Sequence, residues 1–409
     1  MTATPPLSLV LSVRVLLPFA AGYFLSYIYR SVNAVIATDL TRDLGLDAAD
    51  LGFLTSAYFL TFACAQLPLG ILLDRFGARR VEASLLLIAA LGATVFALAQ
   101  SRTGLILGRG LIGIGVCACL MAAFKGVAIW FPTPKLPLVN GVILCSGGLG
   151  ALSATLPVEA VLAHTDWRGL FLLLVAMTVA VLLLIFFMVP EKPTPPRAPQ
   201  SLANQVRDIG TIYSSRNFWR IAPASATIQA TFMATQGLWA GPWLRDVALL
   251  PRDAIANHLF VMAASIAVGF IATGAIAERL ARYGITPLTV SIVGMCGFLA
   301  AQAGLTFGWV EAALPLWAVF GFLGTSGALN YATLTQQFPS DLSGRVNTSL
   351  NVLVFLGTFT TQWGMGVIVN QWTASDGRYP AQAYTAAFAT MLAIELVALT
   401  WLLWSGRRR

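Results

Sequence analysis

The sequence predicts an all-α integral membrane protein of twelve membrane-spanning helices arranged as two six-helix halves. Three observations carry this. Apolar residues make up 57% of the 409-residue chain and charged residues only 10%, whereas soluble domains carry about 25% charged residues. Apolar runs recur that are long enough to cross the ~30 Å hydrocarbon core. A short charged loop recurs half a chain length later.

The first six spans read as 13–38, 49–72, 80–100, 104–130, 138–162 and 168–189, and the second six as 217–244, 255–277, 285–307, 312–337, 345–371 and 382–404. Between them, Pro190 to Ser215 is rich in proline and charge and reads as a linker. The expected organisation is therefore an N-terminal bundle (1–190), a linker (191–215) and a C-terminal bundle (216–409). The first run is not read as a secretory signal. It contains Tyr27, Tyr29 and Arg30, is too long, and lacks a convincing cleavage site.

Span one carries Tyr23, Tyr27 and Arg30 at i, i+4 and i+7, on one helix face. An arginine inside a bilayer costs ~2.5–3.5 kcal/mol on insertion scales, so it should face a wet cavity or a partner. A guanidinium fork with two phenols suits an oxyanion. The other expectation is that Arg30 acts as an interhelical strut to a carbonyl or an acid.

Between spans two and three lies Gly70-Ile71-Leu72-Leu73-Asp74-Arg75-Phe76-Gly77-Ala78-Arg79-Arg80. It resembles the signature loop of the major facilitator superfamily, G-x3-[DE]-[RK]-x-G-x-[RK]-[RK], with every specified position met. A partial copy at Gly274, Glu278, Arg279 and Gly284 begins 204 residues after the first. Phe131 and Phe338, each before a proline at a span end, give a second echo 207 residues apart. Half-length repetition is a common build of secondary transporters. The resemblance implies that Asp74 meets the start of span eleven, where Ser343 offers an N-cap, and holds an outward-open state. The other reading leaves Arg75, Arg79 and Arg80 a purely topological role.

Tyr27-Ile28-Tyr29-Arg30 and Lys125-Gly126-Val127-Ala128-Ile129-Trp130-Phe131-Pro132 resemble runs in spans one and four of the anion:cation symporter family, whose members move organic anions. The resemblance implies that Arg30 and Tyr27 contact substrate. The chain departs in two places. Tyr29 stands where that family has aspartate, and Cys119, Leu120 and Met121 occupy the region of its span-four glutamate. Lys125 is either a second anion contact or a snorkelling lysine. Arg109, Gly113 and Gly115 resemble the superfamily's span-four R-x3-G-x-G motif, linked to proton coupling. Arg109, about five residues into its span, is read as snorkelling, and the glycines as permitting close helix approach.

Spans 1, 4, 7 and 10 line the cavity in the superfamily, which selects Gln229 and Gln236 of span seven and Asn330 and Tyr331 of span ten. Each is also a candidate for helix–helix hydrogen bonding at ~0.6 kcal/mol. The proton-coupling candidates are Glu159 in span five and Arg109. Glu395 in peripheral span twelve is read as a packing or lipid-facing residue.

Composition also excludes other classes. The net charge of +8 is scattered through loops, with no basic run interleaved with aromatics to hold nucleic acid. Five cysteines show no metal-ligand spacing, and the two histidines, His164 and His258, fall near span ends, so no cofactor and no catalytic cluster are expected. Sixteen Lys and Arg fall on the side of both termini and seven on the other. The predicted topology is therefore a multi-pass protein of a bacterial-type cell membrane with both termini cytoplasmic. The expected function is secondary transport of a small organic anion, such as a carboxylate or sugar acid, coupled to protons or another ion by a monomer in the bilayer. The alternatives are an exporter of amphipathic or drug-like compounds, and a substrate sensor built on a transporter scaffold.

Overall fold

The computed structural model describes residues 9–132, 135–190, 202–339 and 342–406. Ten helices among them are long and apolar enough to cross a membrane, and an eleventh if the bent pair Leu138–Ser153 and Leu156–Leu162 is one span. The described residues contain no strand beyond an isolated bridge between Ser375 and Arg378. The predicted seventh span coincides with a helical run, Arg216 to Asp246, that is too polar to qualify by composition. It is packed on most sides, with Phe218, Ile221, Ile228, Trp239 and Trp243 buried. A helix enclosed by protein does not need the apolar girth that lipid demands.

The predicted linker is partly seen. Residues 191–201 lie outside the described residues, and Leu202–Tyr213 form a helix rather than an irregular tether. Tyr213 ties that helix to span eleven by donating to the Ser349 carbonyl at 3.1 Å.

Spans two, three, six, eight, nine, eleven and twelve are continuous helices, whereas one, four, five, seven and ten are interrupted. Span one is helix Leu9–Ser31, a turn at Val32, then helix Asn33–Leu44. Span four breaks between Val116 and Cys119, and span seven contains a π-helical turn, Thr235–Trp239. Span ten passes through a 3₁₀ turn, Thr325–Ala328. Such interruptions free backbone groups at membrane depth, which is tolerated where protein or a cavity surrounds them.

In the first half, span three packs on spans four and six, span two on span four, and span one on span five. In the second, span eight packs on span ten, span seven on spans eleven and twelve, and span nine on span ten. The halves meet chiefly where span two lies along span eleven, and again where span five meets span eight. Close approach within the first half depends on glycine, as expected. A Cβ on Gly113 would strike the Tyr58 carbonyl, and one on Gly115 would strike the Ala89 backbone.

The two faces differ. On the face away from the Asp74 loop, Arg252 of span eight holds both oxygens of Asp39 (3.1 and 2.9 Å) and Oε1 of Glu159 at 2.5 Å. Nearby, Arg245 donates to Thr38, and Tyr379 accepts from the Ala48 amide while donating to Asn370, which in turn donates to Asp47. These contacts join the halves and close that face. On the loop face, a Cβ on Gly70 of span two or Gly344 of span eleven would meet no atom within 4 Å.

Candidate functional site

Arg30 occupies the last turn of the first helix, where a cation complements the helix dipole. It is 8% exposed and lies between the halves. Its guanidinium carbon stands 4.6 Å from the Tyr27 ring centroid and 5.6 Å from those of Phe62 and Phe355. Phe62 comes from span two and Phe355 from span eleven, so both halves build this cage. The rings offer cation–π stabilisation of ~0.5–2 kcal/mol but no counter-charge. No acid among the described residues lies within ion-pair distance of Arg30, and its Nε has no hydrogen-bond partner there. The phenols of Tyr23, Tyr27 and Tyr58 surround it instead.

Tyr23 and Tyr27 meet edge to face at 5.1 Å, as their shared helix face requires. Tyr331 of span ten lies within electrostatic reach of Tyr27 across the interface and donates to Asn351 Oδ1 at 2.6 Å. Gln236, in the π-helical turn, lines a small cavity with Ser31 and Thr155 of the first half. Tyr23, Tyr27, Arg30, Tyr331 and Gln236 are thus brought to one region. Gln229 packs on Gly327 within the second half. Asn330 is fully buried there and donates to Ser225 at 2.8 Å, so it stands as helix glue.

One expectation needs correction. Arg109 does not snorkel. It is fully buried and donates to the Tyr29 carbonyl at 2.9 Å, with its guanidinium 5.2 Å from the Tyr58 ring. That carbonyl belongs to the broken end of the first helix, where backbone acceptors lack helical partners. Arg109 is therefore a strut, whereas Arg30 forms no ion pair with an acid among the described residues. Of the two readings of Glu395, its 1% exposure agrees with packing and not with facing lipid; Thr231 and Gln302 are its polar neighbours.

Lys125 lies apart from Arg30. Its Nζ donates to Asp74 Oδ1 at 2.5 Å and to the Leu73 carbonyl at 2.6 Å. Asp74, with its side chain 82% exposed, is therefore bound to its own half, and among the described residues it makes no ion pair with span eleven. Leu342 stands at the N-cap position of span eleven, and Ser343 is the first helical residue. In the same loop Gly77 has φ +80°, a conformation that favours glycine, which lets span two turn into span three. Arg75 lies over the Phe76 ring and Arg79 over that of Phe186, at 5.2 and 5.1 Å. Arg80 also has a partner. Glu159 serves the far-face ion pair with Arg252.

The sequence reading passed over Tyr58, Phe62 and Phe355, which were submerged among apolar residues. It also passed over Asp39 and Arg252, whose partners are far apart in the chain, and Glu82. The last carried a readable signal, an acid two residues inside a predicted span.

The profile of the Major Facilitator Superfamily matches residues 19–361. The chain belongs to the Major Facilitator Superfamily. Among superfamily transporters it is similar to the probable sulfoacetate transporter SauU of Cupriavidus necator, 25% identical over 81% of this chain and 82% of that one. It also matches the hexuronate transporter of Escherichia coli K12 at 26% identity, over 49% of this chain and 50% of that one. The fold superposes on a bacterial homologue of the lysosomal transporter Spinster with a TM-score of 0.75 at 17% identity, covering 98% of each chain. It superposes on a D-xylose–proton symporter with a TM-score of 0.72 at 15% identity, covering 93% of this chain and 96% of that one.

Proposed function

We propose that this secondary transporter carries a small organic anion, a carboxylate or sugar acid, in symport with protons. The observation that carries the reading is Arg30, a buried guanidinium held between the halves by aromatic rings and left without an acid. A buried charge in that position attracts an opposite one, and its fork suits a carboxylate or sulfonate. Tyr27 and Tyr331, from opposite halves, supply hydroxyls at the same level. The relatives that carry sulfoacetate and hexuronate agree with an acid as cargo.

The Lys/Arg distribution places the loop face in the cytoplasm together with both termini. Twelve spans follow if Arg216–Asp246 crosses as the seventh, with residues 1–190 and 216–409 as the two bundles and a monomer as the working unit. The face joined by Arg252, Asp39 and Glu159 is then the outer one.

A thermal-shift screen of the purified protein tests the reading. Galacturonate and sulfoacetate are expected to raise the melting temperature, since saturation at 100 Kd adds ~2.7 kcal/mol. Inorganic phosphate and tetraphenylphosphonium are expected to leave it unchanged. Stabilisation by the lipophilic cation alone would instead support the exporter of amphipathic compounds.

A further inference from the structure

We propose that Glu82 is a proton-binding site of this transporter, and that its protonated form accompanies the anion at Arg30. The inference rests on the anion reading of Arg30 and adds the residue that carries the proton.

Glu82 is the fifth residue of helix Ala78–Leu98, and it is 0% exposed. Neither carboxyl oxygen has a nitrogen or oxygen hydrogen-bond partner among the described residues. Its Oε1 fills the space that a Cβ on Gly22 would occupy, so the acid lies directly against the backbone of span one. Span four contributes Cys119, whose thiol is the side-chain partner of the carboxyl. Span six contributes the side chain of Ile185, which reaches the same gap by Gly22. Span one contributes only backbone at Gly22, with Tyr23 next along it. On its own helix, Arg79 lies one turn earlier, with its guanidinium over the Phe186 ring. No cation among the described residues forms an ion pair with Glu82.

A carboxylate buried without a cation beside it is costly, so the position suits an acid that takes up a proton. Other buried carboxylates are matched differently. Asp39 and Asp246 have arginine partners, and Glu395 has neutral amide and hydroxyl neighbours. Glu82 alone of these backs onto the helix that carries Arg30.

That placement links the two ligands. Gly22 and Arg30 are eight residues apart on one helix, ~12 Å along its axis. With Glu82 protonated, the interior of the first half carries the positive charges of Arg30 and Arg109. With Glu82 ionised, one of those charges is offset. At ~12 Å and an effective dielectric of ~20, the difference is about tenfold in anion affinity. Linkage is reciprocal, so a bound anion strengthens the hold on the proton by the same factor. Proton and anion would then load together and leave together, the proton passing to water on the side where the anion is released.

Infrared spectroscopy of the reconstituted protein, without added substrate, reads the proton directly. The carbonyl band of a buried protonated carboxyl is expected in the wild type and expected to lose intensity in Glu82→Gln. Glu82→Asp should keep a shifted band and shows that the position tolerates substitution. Galacturonate affinity is then measured from acid to alkaline pH. In the wild type it should fall about tenfold on alkalinisation; in Glu82→Gln, which mimics the protonated acid, it should stay high and flat. Glu82→Gln proteoliposomes should keep galacturonate counterflow and lose accumulation driven by a pH gradient. An unchanged band, or wild-type pH dependence in Glu82→Gln, would overturn the proposal. A band lost in Glu82→Gln with no anion bound by either protein would overturn the reading of Arg30 and leave the proton site standing.

Discussion

Two arginines of the first half illustrate what a sequence shows about single residues. Arg30 and Arg109 both sit inside apolar runs, and depth along a run does not reveal which neighbour a side chain meets. Arg109 turned inward to the carbonyl of Tyr29, at the break in span one. Tyr29 itself turned away from the site and bonds Thr178 at 2.8 Å, so replacing an acid by tyrosine there fills a core position. Arg109→Ala should therefore cost stability, about 1.5–3 kcal/mol for a hydrogen bond to a charged donor, while anion affinity of the folded protein stays within a few-fold. Tyr27→Phe should do the reverse. Its melting temperature should hold, and affinity should fall by ~0.5–1.5 kcal/mol for one lost hydroxyl bond. Calorimetric melting and titration on the same preparations separate the two; equal loss of affinity in both would put Arg109 in the site.

At the scale of elements, the regular part of the fold was legible and the interruptions were not. Hydropathy marks where a helix enters and leaves the bilayer, and the predicted boundaries agree with the continuous spans to within a few residues. Breaks at Val32, at Cys117 and Ala118, at Thr235–Trp239 and at Thr325–Ala328 leave no mark in composition, because tertiary packing decides them. The signature loop shows the same limit. Its residues were recognisable, but the side chain that meets Asp74 was not. Here Asp74 is held by Lys125, whereas the resemblance of the loop implies the start of span eleven as its partner. The two partners predict opposite effects. Asp74→Asn should weaken the outward-open state and slow transport, whereas Lys125→Met should release Asp74 toward span eleven and favour that state. Single-cysteine labelling from each side of the membrane measures both, and labelling unchanged in both variants would leave the loop a topological signal only. Arg252→Ala removes the shared partner of Asp39 and Glu159 and should increase labelling from the outer face.

Across the whole molecule, the bilayer makes the architecture readable. Its thickness sets span length, its apolarity sets composition, and the half-length repeat shows where the chain divides. The seventh span escaped the hydropathy measure for the reason that gives it interest, because a helix surrounded by protein on the line between halves can carry Gln229, Gln236 and a π-helical turn. The site lies on that same line, assembled from Arg30, Phe62 and Phe355 only when the halves meet. No local motif encodes such a meeting, although the face shared by Tyr23, Tyr27 and Arg30 pointed to half of it. The central claim is that the positive charge of Arg30 is left unpaired so that an anion can complete it. Removing that charge should relieve a buried, unmatched cation while abolishing recognition. The most direct test measures galacturonate affinity and melting temperature on one preparation of Arg30→Ala, with Arg30→Lys as the point-charge control. The account predicts a melting temperature at or above the wild type, affinity lowered by ~2–5 kcal/mol in Arg30→Ala, and weak residual binding in Arg30→Lys. A folded Arg30→Ala protein that binds the acid with wild-type affinity would contradict it.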